Sequence, residues 1–240
     1  MPEQYNKSSY HSDDLVRIIE ILRSPNGCPW DREQNHHSIR NNFLEESYEA
    51  VEAIDCEDTT LLQEELGDVL LQIVLHSQME AEQGHFNFND VCTGICRKMI
   101  DRHPHVFGDK QASDIEAAAQ SWETQKREEK GLHSLEDRLR HVSIALPALM
   151  RAQKLIDKAG TEGYAVKPGD EEIYAALKRA LDAGEAESSQ YWGSLLFMLC
   201  ERMLQKGVAA EEALSRESER MIERFLEMKH SDIPNGSHAL

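Results

Sequence analysis

The chain has 240 residues, of which 44 are Asp or Glu and 26 are Lys or Arg, for a formal net charge of −18. Such a surface repels nucleic acid and anionic membranes, so general binding to either is excluded, and holding a small polyanion would take a metal ion and a local basic cluster. The longest apolar run, Val69 to Leu75, is broken by Gln72 and falls far short of a bilayer span.

Nearly every segment has a helical period and alternating β-branched runs are absent, which predicts an all-α fold. The polar stretch Met1 to His11 lacks a signal-peptide core, and Cys28, Cys56, Cys92, Cys96 and Cys200 form no CxxC pair. Both features predict a cytoplasmic protein in a reducing compartment.

In chain order, Ser12 with Asp13 and Asp14 opens a helix to Arg23, and Pro25-Asn26-Gly27-Cys28-Pro29 forms a loop before Trp30. Helices follow over 39–55 and 61–83, the second opened by a capping box of Thr60 and Gln63. A helix over 90–102 stops at His103-Pro104, and 113–130 reads as a charged, exposed helix.

From Leu146 onward the plan of the first half returns. Glu171-Glu172 precedes Gly193-Ser194 at the spacing by which Glu45-Glu46 precedes Gly67-Asp68, and the basic pair Lys98 and Arg102 recurs as Arg220 and Arg224. This internal duplication predicts two tandem helical-bundle domains, 1–140 and 141–230, followed by a disordered tail over 231–240. In the second copy Glu49, Glu65 and Asp68 are replaced by Ala175, Tyr191 and Ser194. That copy is therefore expected to be degenerate, keeping an apolar frame without a metal site.

The chemistry gathers in two carboxylate groups: Glu45, Glu46 and Glu49, then Glu65 and Asp68. Each group has helical i, i+3 or i+4 spacing, so its acids share a face and two such helices can aim them at one centre. On the first helix Leu44, Ser47, Tyr48, Val51 and Ile54 form the apolar face, with the glutamates opposite. The second helix reads as apolar and buried on nearly every side, except for one polar stripe of Glu65, Asp68, Gln72 and His76. A buried carboxylate must be protonated, paired or metal-bound, and no basic residue lies between Arg40 and Arg97. An oxygen-only donor set favours Mg2+. Lys98 and Arg102, one turn apart, offer a positive face for phosphate oxygens.

Four segments carry a family resemblance: Cys28-Pro29-Trp30-Asp31-Arg32-Glu33-Gln34, Leu44-Glu45-Glu46-Ser47-Tyr48-Glu49, Glu64-Glu65-Leu66-Gly67-Asp68 and Arg102-His103-Pro104-His105-Val106-Phe107. Together with the two-copy layout they resemble the MazG family of nucleoside triphosphate pyrophosphohydrolases. The resemblance implies an all-α, usually dimeric enzyme that uses Mg2+ to hydrolyse nucleoside triphosphates to monophosphate and pyrophosphate. It further implies Glu46, Glu49, Glu65 and Asp68 as metal ligands and Glu45 as the residue that orients or deprotonates the attacking water. Lys98 and Arg102 would grip phosphates, and Trp122, with Lys126 a turn later, would lie near the nucleotide. Trp30 either anchors its loop on the core or stacks on a base.

Two other readings fit parts of the pattern. Glu33/His36, Glu82/His85 and Glu227/His230 match the Glu-x-x-His motif of di-iron helical bundles, but none accompanies the acidic cluster. The degenerate copy and acidic exterior also suit a non-catalytic module that binds nucleotides or a partner.

Overall fold

The structure, a computed structural model, describes residues 7–109, 112–164 and 167–231. The protein is all-α, and among the described residues there is no strand. It divides into two compact units, 1–122 and 123–240. The division falls inside a helix rather than after Arg140, and most of the tail expected over 231–240 lies outside the described residues.

The first unit is built on α1 (Ser12–Arg23), α2 (Pro29–Glu33), α3 (Arg40–Asp55), α4 (Thr59–Glu82), α5 (Phe88–Arg102) and α6 (Pro104–Phe107), and takes in the start of α7 (Ile115–Lys130). α3 and α4 form a tight hairpin, and α1 and α5 pack on α4. The core is Ile19, Ile39, Val74, Leu75 and Met79, closed by Leu15, Val16, Leu22, Leu71 and Phe88. Burying five such side chains stabilises the unit by several kcal/mol, at about 1.5–3 kcal/mol each.

The ends of these helices are fixed by identifiable chemistry. α4 starts two residues before the sequence suggests, because Asp58 is its N-cap and accepts from the N–H groups of Thr60 and Leu61. The Thr60 capping box is thus displaced by a better acceptor two residues upstream. α5 begins at Phe88 through a capping box of Asn87 and Asp90. The loop before Trp30 closes at Gly27, where a Cβ would lie 2.2 Å from the Ile21 carbonyl oxygen, and Trp30 itself sits in the short α2. Arg23, at the end of α1, donates to both carboxylate oxygens of Glu82 at 2.8 and 2.9 Å and to the carbonyls of Asp31 and Gln34. One guanidinium therefore ties α1, α2 and α4 together.

The second unit contains α8 (Leu135–Arg140), α9 (Ala148–Gly160), α10 (Asp170–Asp182), α11 (Glu185–Gln205) and α12 (Ala210–Ser231). Here α10 and α11 form the hairpin, with α9 against α11 and α12 against α9 and α11. Its apolar clusters are Ile156, Cys200 and Ala210, and Ala176, Ala180 and Leu195. The buried Ala50 and Val74 of the first hairpin and the buried Ala176 and Cys200 of the second stand at the offset that carries Glu46 to Glu172.

Candidate active site

The hairpin brings its two groups of acids together. Glu46 and Glu49 from α3 and Glu65 from α4 each present a carboxylate oxygen, and these atoms lie within 4.8 Å of one another. Ala50 and Ala53 make the approach possible, since their small buried side chains let α3 settle closely on α4. Glu46 is half-buried, Glu49 exposed and Glu65 only 8% exposed.

No ion pair among the described residues involves Glu46, Glu49, Glu65 or Asp68, so the negative charge is uncompensated. Burial, then repulsion from Asp68 and Glu49, pushes the Glu46 carboxyl above the usual range. Burial, then repulsion from Glu49 and Asp68, does the same to Glu65. Asp68 stands outside the close triad yet acts on both. Glu52 and Glu64 add to the field at Glu65, a contribution the motif reading did not include. Like charges gathered on oxygen donors fit a hard divalent cation, which removes both penalties at once.

The other expected site residues divide in two. Arg102 is 8% exposed, and its guanidinium carbon lies 5.1 Å from the centroid of the Trp122 ring. His103 also meets that ring, at 4.8 Å, and its Nδ1 donates to the Met99 carbonyl. Trp122 and Arg102 thus form one cation–π unit. Lys98 is exposed one turn earlier on α5, and Glu45 is exposed on α3. Trp30 is 62% exposed, which removes the loop-anchor reading within this chain. Lys126 pairs with Glu123 at 3.2 Å.

Two expectations about the hairpin need correction. Leu66 on α4 is 54% exposed and Leu70 is also exposed, so that helix is not buried all round. On α3 the relation is inverted: Leu44, Tyr48, Val51 and Ile54 face outward, while Ala50 and Ala53 are buried and the glutamates edge the interface with α4. The amphipathic stripe is real, but the described residues of the first unit do not cover it.

In the second unit Ala175 and Ser194 are exposed and Tyr191 packs on the Ala176 cluster. Glu172, the one of the four expected metal ligands retained there, accepts the Gly169 N–H at 2.7 Å and caps α10. Among the described residues the only cluster of His, Cys, Asp and Glu with metal-ligand spacing is Glu46, Glu49 and Glu65.

A second polar cluster on α4 escapes sequence reasoning. The His36 and His76 rings stack 3° from parallel with their Nδ1 atoms 2.7 Å apart, and His36 Nε2 and His85 Nδ1 both bond Glu80. Phe43 of α3 meets His76 edge-on at 5.9 Å. Glu82, an acid of the di-iron pattern, is committed to Arg23.

An acidic hairpin whose carboxylates converge without a basic partner among the described residues has the chemistry of a divalent-metal site in an all-α frame. Residues 34–107 match the MazG nucleotide pyrophosphohydrolase domain. Over 223 residues the chain is 38% identical to the nucleoside triphosphate pyrophosphohydrolase/pyrophosphatase MazG of Thermotoga maritima, covering 90% of this chain and 85% of that protein. It is also 38% identical over 229 residues to the Escherichia coli K12 nucleoside triphosphate pyrophosphohydrolase, covering 90% and 86%. With the uncharacterised Bacillus subtilis protein YabN it shares 47% identity over 155 residues, 64% of this chain and 32% of that one. The chain belongs to the MazG family.

Proposed function

We propose that this protein hydrolyses nucleoside triphosphates to nucleoside monophosphate and pyrophosphate, with Mg2+ as cofactor and the first unit as the seat of catalysis. The observation that carries this reading is the triad Glu46, Glu49 and Glu65, three carboxylates with oxygens within 4.8 Å of one another and without a basic partner among the described residues. The activity is that of the relatives named above.

In this reading Glu46, Glu49, Glu65 and Asp68 hold the metal, whose chemistry when bound is to neutralise phosphate charge. Glu45, exposed beside the triad, orients a water and takes its proton as the water oxygen attacks the α-phosphorus. The bond from that phosphorus to the bridging oxygen breaks, and pyrophosphate leaves with the electron pair. Lys98 and Arg102 bind phosphate oxygens, and the Trp122 face that holds Arg102 lies toward the nucleotide, with Trp30 as a second stacking surface.

The second unit is a degenerate copy that folds without a site, its acid Glu172 spent on a helix cap. The exposed stripe of Leu44, Tyr48 and Val51 on α3, with Leu66 and Leu70 on α4, suits a homodimer contact. A cytoplasmic location agrees with five unpaired cysteines. No helix in the described residues is long and apolar enough to cross a membrane.

The test is incubation with triphosphates and Mg2+ in water enriched in heavy oxygen. Pyrophosphate release with label in the monophosphate is expected. Release of orthophosphate alone would place the attack at the wrong bond.

A further inference from the structure

The acidic triad does not exhaust the polar stripe of α4. Glu65, Asp68, Gln72 and His76 follow one another at helical spacing, within about 80° around the helix axis at ~100° per residue. Glu65 meets the α3 glutamates at one end of this stripe and His76 meets Phe43 of α3 at the other. Gln72 lies between them, so it faces the same hairpin interface. It is 5% exposed, and its Oε1 is buried with no hydrogen-bond partner among the described residues. A buried carbonyl oxygen left unpaired is costly, about 1–3 kcal/mol, and a fold that only needed filler there would place an apolar side chain.

We propose that Gln72 is a specificity-determining residue that reads the edge of the nucleobase, with its unpaired Oε1 accepting an N–H from the base. This rests on the triphosphate reading given above. The chemistry of the position favours a base. Gln72 sits about 6 Å along the axis from Asp68, a distance that lets phosphates engage the acids while the nucleoside reaches the next turn. Phosphate oxygens offer no donor to a carbonyl, whereas every base carries an N–H on its pairing edge. A primary amide presents an acceptor and a donor side by side, the combination used in bidentate base contacts. Phe43 and His76, one turn further on, meet edge-on and make that end of the stripe aromatic.

The experiment compares kcat/KM for ATP, GTP, CTP, UTP and their deoxy forms in wild type, Gln72→Met and Gln72→Glu, alongside inhibition by inorganic tripolyphosphate. The wild type is expected to rank the bases, and Gln72→Met to compress that ranking by about tenfold or more. Gln72→Glu, which accepts at both atoms, should move the ranking toward guanine, whose edge donates twice. Inhibition by tripolyphosphate, which has no base, should stay unchanged in Gln72→Met. The melting temperature of Gln72→Met should hold or rise by a few degrees, roughly what removing an unsatisfied polar atom gives; a residue that merely supports the fold would instead lower it. An unchanged ranking, a flat wild-type ranking, or collapse of the ribose-to-deoxyribose ratio in place of the base ratio would each overturn the assignment while pyrophosphate release stands. A wild-type protein that neither hydrolyses nor binds any triphosphate would overturn both readings.

Discussion

His36 and His76 are forty residues apart in sequence, yet their Nδ1 atoms lie 2.7 Å from one another with the two rings stacked. Glu80 accepts from His36 Nε2, so His36 carries its proton there and the facing pair of Nδ1 atoms shares a single hydrogen. Only one of those two nitrogens can donate, and a proton on both breaks the pair. Because Glu80 also accepts from His85, with both bonds holding its carboxyl below the usual range, the pair fastens the segment before α3 to α4 and to the chain after it.

Burial, followed by the neighbouring His36, holds His76 below the ordinary histidine range. A lowered histidine means that the unfolded chain binds more protons than the native one just below about pH 6.5, so stability falls with acidification through that value. It stops falling once the lower native value is passed. Urea unfolding as a function of pH should show this loss in the wild type, and His76→Leu should remove that component. Identical pH profiles for the two proteins would show that His76 is not the group concerned.

The turn between α3 and α4 carries Glu57 at φ 55°, in the left-handed region, while the Asp58 N–H reaches back to the Ala53 carbonyl. Glycine takes this conformation without steric cost and glutamate does not. Glu57→Gly should stabilise the protein by about 0.5–1 kcal/mol, the left-handed penalty less the added freedom of the unfolded chain. Chemical denaturation measures it directly, and a loss of stability would mean that the Glu57 side chain has a role of its own.

The outward stripe on α3 gives a prediction about assembly. Val51 is 51% exposed in a single chain, and a charge there costs the lone chain little. Val51→Glu should convert a dimer to a monomer in light scattering while leaving helical content intact. A wild type that is monomeric at all concentrations would leave the stripe without this explanation.

Much of this arrangement is legible in the sequence, though unevenly. The 3.6-residue period and the terminal residues place α1 at Ser12–Arg23 and put α3, α4 and α5 within two residues of their observed ends. Three of the acids, Glu46, Glu49 and Glu65, converge from the two helices, while Asp68 stands outside that close triad. What periodicity cannot reveal is which side of an amphipathic helix meets its own chain. Leu44, Tyr48 and Val51 look like core and are exposed, whereas Ala50 and Ala53 look unremarkable and are the buried residues of α3. The His36–His76 pair was invisible for a different reason. It depends on a loop folding back over forty residues, and no local pattern encodes that. Arg102 is recognisable as a cation, but its burial against Trp122 is a tertiary fact.

The measurement that bears most directly on the acidic hairpin is pyrophosphate release by Glu49→Gln beside the wild type, with Mg2+ and the best triphosphate. Glu49 is exposed and, among the described residues, makes no hydrogen bond or ion pair outside the acidic cluster, so the variant keeps its fold by circular dichroism while the site loses one of its charges. A fall of about a hundredfold or more in kcat is expected, of the order seen when one electrostatic contact to the reacting group is removed. Near-normal turnover in a folded Glu49→Gln protein would contradict the assignment of the hairpin as the catalytic centre.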